Sequence, residues 1–114
     1  MRKLIALAVA LVAIAVPTTA SAHAAATTPV NVSITVVNGR PVGGIKRQTI
    51  KKGSTVRLVV RTNVGTAIHL HGYNLEKTVK KGVPTVIQFV AKVPGRFALE
   101  LHPMDAQLAQ LTVR

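Results

Sequence analysis

The chain has 114 residues, with 15 Lys plus Arg against 3 Asp plus Glu, and no cysteine. This composition excludes thiolate zinc sites, iron–sulfur clusters, cysteine nucleophiles and a disulfide framework. Tyr73, Phe89 and Phe97 are the only aromatic residues, too few for the stacking platforms of a single-strand nucleic-acid binder, so nucleic acid is not an expected partner. The net charge of +12 is read instead as a solvated basic surface that favours anionic surroundings.

The first segment has the layout of an export signal. Arg2 and Lys3 precede an unbroken apolar run from Leu4 to Val16, and Pro17 to Ala24 is rich in small residues. A run this short falls below the ~20 residues of a spanning helix. Residues 1–24 are therefore expected to be a signal peptide, with residues 25–114 as one small domain, secreted or periplasmic, that keeps no transmembrane segment. Cleavage after Ala22 also satisfies the small-residue rule. It would leave His23 at the new N-terminus, where its imidazole and the α-amine could chelate copper together. On the mature chain thirteen basic residues face three acidic ones, a net charge of +10.

Beyond Pro29 the hydrophobic period is two. Val30, Val32, Ile34 and Val36 alternate with Asn31, Ser33 and Thr35, and Asn38-Gly39 ends the strand with a turn. Residues 40–44 read as loop and 45–51 as a short basic strand. In the strand over 55–61, Val56, Leu58 and Val60 point inward while Arg57 and Arg61 point to water. Further strands are expected over 67–71, 74–79, 85–91, 96–101 and 107–113. "KKGSTVRLVV" from Lys51 and "KKGVPTVIQFV" from Lys80 echo one another and are taken as two similar hairpin entries of a Greek key. About eight short strands with frequent turns predict an all-β, antiparallel sandwich.

Few residues can coordinate a metal: four histidines, Met104, and the carboxylates Glu76, Glu100 and Asp105. In "AIHLHGYNL", His69 and His71 are two apart on a strand and share a face. A second pair, His102-x-Met104, lies in "LELHPMDAQL". Imidazole with thioether suits copper, and the thioether favours Cu(I). Imidazoles alone also suit Zn²⁺. No Ser, His and Asp cluster and no phosphate-binding glycine loop is present, so a binding protein rather than an enzyme is expected.

The pieces "IKKGSTVRLVV", "HLHGYNL", "FVAKVPGRFALELH" and "QLAQLTV" resemble the cupredoxin-like domains of secreted bacterial proteins. The resemblance runs from Val30 to the end. It implies a Greek-key β-sandwich in which His71-Gly72-Tyr73 stands where the first copper ligand would be, while His102 and Met104 occupy the loop that carries the others. Counted from Pro94-Gly95, the family's cysteine position falls on Leu101, so a blue-copper centre, which needs that thiolate, is not implied. The expectation is an exported copper-binding protein for storage, delivery or protection, with His69, His71, His102 and Met104 as ligands. The alternative is a metal-free interaction module of the cell envelope that meets an anionic surface or an envelope protein.

Overall fold

The computed structural model describes residues 6–21 and 28–114. His23, Arg2, Lys3 and the cleavage region from Ala22 to Ala24 lie outside the described residues. Residues 6–21 carry no regular structure, and the apolar side chains of Leu7, Leu11, Val12, Ile14 and Val16 are all exposed.

Nine strands follow among the described residues: β1 (Val30–Val37), β2 (Arg40–Pro41), β3 (Lys46–Ile50), β4 (Thr55–Thr62), β5 (Ala67–Leu70), β6 (Leu75–Thr78), β7 (Thr85–Val90), β8 (Gly95–His102) and β9 (Ala106–Val113). They form a four-stranded sheet ordered β2-β1-β4-β7 and a five-stranded sheet ordered β3-β9-β8-β5-β6. The alternation expected from the sequence places the core between the sheets. Val32, Ile34, Val56, Leu58 and Val60 from one sheet meet Ile68, Leu70, Leu99, Leu101 and Leu111 from the other, all buried. Arg57 and Arg61 face solvent as expected.

Turn chemistry shapes the first hairpin. Asn38 and Gly39 adopt φ of 50° and 81°, the positive pair that a two-residue turn between twisted strands requires. Arg40 and Pro41 therefore pair back on Val37 and Val36, where the sequence suggested only loop.

Two pairings depart from an antiparallel arrangement. β1 runs parallel to β4, and β3 runs parallel to β9, so both sheets are mixed. Alternating hydrophobicity fixes which face of a strand is buried and leaves its neighbour's direction free. The echoed basic turns are also not hairpins. Lys51–Thr55 leads from β3 in the five-stranded sheet to β4 in the other, and Lys80–Thr85 leads from β6 to β7 in the same way. They are equivalent sheet-to-sheet crossings, and the strands they enter, β4 and β7, lie side by side.

Candidate metal centre

The outer face of the five-stranded sheet carries the histidines. In β5, Ile68 and Leu70 are fully buried, which turns His69 outward. His71 lies one residue past β5, but its backbone N–H still donates to Ala98 O at 3.0 Å, so it continues the strand's phase and faces the same way. In β8, Phe97, Leu99 and Leu101 point inward, which leaves Glu100 and His102 outside. Register brings these residues together, with His69 directly opposite Glu100 and Ala67 opposite His102.

Three imidazoles converge as a result. The ring centroids of His69 and His71 are 4.4 Å apart, and those of His69 and His102 are 5.8 Å apart. Each of the two outer rings holds a carboxylate: His71 Nε2 lies 2.8 Å from Glu100 Oε2, and His102 Nδ1 lies 2.9 Å from Asp105 Oδ1. His69 is opposed on its other side by Glu76 of β6. All three acidic residues of the chain thus stand on or at the rim of the face that carries His69, His71 and His102. Among the described residues no Lys or Arg forms an ion pair with any of them. In so basic a chain, carboxylates that lie beside imidazoles and leave the cations aside mark a site.

The backbone around the face is closely specified. Gly72 has φ of 82°, and a Cβ placed there would stand 2.3 Å from Phe97 Cδ1, so only glycine fits between His71 and Tyr73. The Tyr73 ring packs against Phe89 and Phe97 at 4.7 Å each. Its hydroxyl donates to Val93 O at 2.8 Å and accepts from Val93 N–H at 3.0 Å. At the other end, a one-residue bulge in the β8–β9 pairing sets Leu99 against Ala109 but Glu100 against Gln107. Leu108 and Ala109 are consequently both buried, and Gln107 is brought beside Glu100. Thr66 N–H donates to His102 O at 2.9 Å and fixes the end of β8.

Of the residues singled out from the sequence, His69, His71 and His102 are brought together. Met104 is set in the turn between β8 and β9, 45% exposed, with its side chain along the β1–β2 turn. Its Cγ and Cε come within 3.7 and 3.9 Å of the place a Gly39 Cβ would occupy. Leu101, where the resemblance would set a cysteine, is fully buried among core hydrocarbons. Glu100 and Asp105, which the sequence offers only as possible coordinating carboxylates, join His102: donor atoms of Glu100, His102 and Asp105 all lie within 4.8 Å of one another. Glu100-x-His102 has the same two-residue spacing as His69-x-His71, and that signal was available in the sequence. As a donor set, several imidazoles with carboxylates suit a copper or zinc ion, so the residues present fit a metal without a thiolate.

No protein-family model and no curated protein matches the chain. Solved structures do share its fold. One is the solution structure of a copper binding protein in its apo form, with a TM-score of 0.60 and 15% identity over 74% of this chain and 86% of that one. Another is a chain from the cryo-EM structure of a heme-copper terminal oxidase dimer, with a TM-score of 0.59 and 16% identity over 75% of this chain and 65% of that one. The fold is a cupredoxin-like sandwich.

Proposed function

We propose that the protein is exported and binds copper on the outer face of its five-stranded sheet, for storage, delivery or protection outside the cytoplasm. The observation that carries this reading is the convergence of His69, His71 and His102 on one face, with ring centroids 4.4 and 5.8 Å apart. The copper-binding protein of the same fold supports the choice of ion. The charged start, exposed apolar run and small-residue stretch support export.

In this reading the imidazoles bind the ion and the sheet holds them in place. The protein then acts as a carrier, with Glu100 and Asp105 engaged with imidazoles. Leu101 in the thiolate position means that bound copper gives no intense blue absorption. Titration of the purified protein with Cu(II), Cu(I) and Zn(II) tests the proposal. Saturable binding of one copper ion is expected, weakened about tenfold or more in His71→Ala and in His102→Ala. Absence of saturable copper binding, or binding untouched by both substitutions, refutes it, and a clear preference for Zn(II) reassigns the site.

A second reading is favoured by one feature away from the histidines. The backbone joins Lys52 to Arg114 and Gly53 to Ala91, which gathers Lys51, Lys52, Lys92 and Arg114 at the end of the sandwich where β8 begins. A cavity of about 420 Å³ opens there, lined by Lys51, Lys52 and Ser54 among others. This end suits an anionic surface of the cell envelope.

A further inference from the structure

We propose that Glu100 and Asp105 are themselves metal ligands, and that with His71 and His102 they make a divalent site that prefers Cu(II) to Cu(I). The proposal rests on the copper-binding reading and extends it to the oxidation state of the ion.

The first support is spacing. Two donors on adjacent corners of a metal's coordination square, with bonds of about 2.0 Å, lie about 2.8 Å apart. His71 Nε2 and Glu100 Oε2 are 2.8 Å apart, and His102 Nδ1 and Asp105 Oδ1 are 2.9 Å apart. These are two nitrogen–oxygen pairs, each at the separation of neighbouring ligands. The pairs also adjoin, since donor atoms of Glu100, His102 and Asp105 fall within 4.8 Å of one another. Opposite corners of such a square are separated by about 4 Å. Glu100, His102 and Asp105 lie close to that spacing, and His71, joined to them through Glu100, has to turn toward them to complete the set. The Asp105 side chain, 74% exposed, is free to shift as the set closes.

The second support is donor chemistry. Nitrogen and oxygen donors in a tetragonal arrangement select Cu(II), whereas Cu(I) selects sulfur. The one thioether near this loop, Met104, lies along the Gly39 turn. Two carboxylates also balance the charge of a divalent ion and would leave a monovalent one with an excess of negative charge. The third support is the partner choice already described. The only carboxylates in a chain with 15 Lys and Arg neighbour imidazoles on one face.

The competing role for Glu100 and Asp105 is to hold the imidazoles in place by hydrogen bonds while the imidazoles alone bind the ion. Substitution by the amide separates the two roles. Gln and Asn keep a carbonyl oxygen that accepts from an imidazole N–H, but they lose the charge and most of the ligand strength. Cu(II) and Cu(I) affinities should be measured by competition with chelators, with the Cu(II) electron paramagnetic resonance spectrum of each variant. Thermal melting of the metal-free proteins checks that they fold.

In the unsubstituted protein Cu(II) should bind more tightly than Cu(I). Glu100→Gln and Asp105→Asn should each weaken Cu(II) by about tenfold or more, change Cu(I) by less than about threefold, and alter the Cu(II) spectrum. Met104→Ala should leave Cu(II) affinity unchanged. Copper binding with an unaltered Cu(II) affinity and spectrum in both amide variants would overturn the proposal and leave the imidazole site standing. So would tighter binding of Cu(I) that is lost in Met104→Ala. Failure of the unsubstituted protein to bind copper at all removes the copper-binding reading as well.

Discussion

Gly72 is the residue on which the placement of His71 depends. Its positive φ and the Phe97 ring 2.3 Å from any Cβ there are two separate penalties for a side chain. Gly72→Ala is expected to destabilise the protein by about 1–3 kcal/mol, read as a fall in thermal midpoint of at least about 5 °C. It should also weaken the proposed copper binding, because the chain moves directly beside His71. An unchanged midpoint would mean that Phe97 yields without cost. Single residues also show how far the sequence speaks. His69 and His71 were legible as a pair because strand spacing alone puts them on one face. His102 was legible as a second donor, but its closeness to His69 depends on which strands are neighbours. Asp105 was not legible as a partner of His102: its carboxylate arrives through a turn in which its own φ is 51°. The loop position of Met104 suggests a metal ligand, but that its side chain lies along the β1–β2 turn depends on contacts between distant segments.

The strands themselves were nearly all legible, since period two and the Gly and Pro turns mark each of them. Their order was not. β3 illustrates why: Lys46, Arg47 and Thr49 are exposed, Gln48 is partly buried, and Ile50 alone enters the core. Such a strand has little pattern with which to announce a partner, and it joins β9 in parallel through backbone bonds and an Arg47 Nη1–Gln110 Oε1 hydrogen bond of 2.6 Å. Ile50 is its anchor. Ile50→Ala should cost about 2–5 kcal/mol, measurable by urea denaturation, with faster amide exchange over β3 than over β8. If exchange in β3 stays as slow as in β8, the backbone ladder holds this edge strand without its one buried side chain.

Across the molecule, the acidic side chains gather at the histidine face, while basic side chains are found on both sheets and at both ends. β8 begins near the Lys51, Lys52, Lys92 and Arg114 end and finishes at His102, roughly 23 Å away at ~3.3 Å per residue, so it joins that basic end to the histidine face. Binding to vesicles that contain anionic lipid is expected at low salt. It should disappear as ionic strength rises from about 0.1 M to about 1 M and the screening length shrinks from ~10 Å to ~3 Å. Equal binding to neutral vesicles, or insensitivity to salt, would show that charge does not direct the contact. Such an orientation would leave the histidine face turned toward solution, where an incoming ion reaches it.

The place of β9 in the five-stranded sheet has a consequence for when this fold can exist. β9 lies between β3 and β8, and its contact with β3 joins residues 63 positions apart. Every other described strand precedes it in the chain, so during synthesis β3 has no neighbour in the sheet until Ala106–Val113 arrives. Closing such a distant pairing is also slow, because the entropy of a long loop is lost before the contact repays it. Strand order thus makes β3 the last strand to join the five-stranded sheet, whereas β5 and β8, which carry the histidines, can pair before β9 docks.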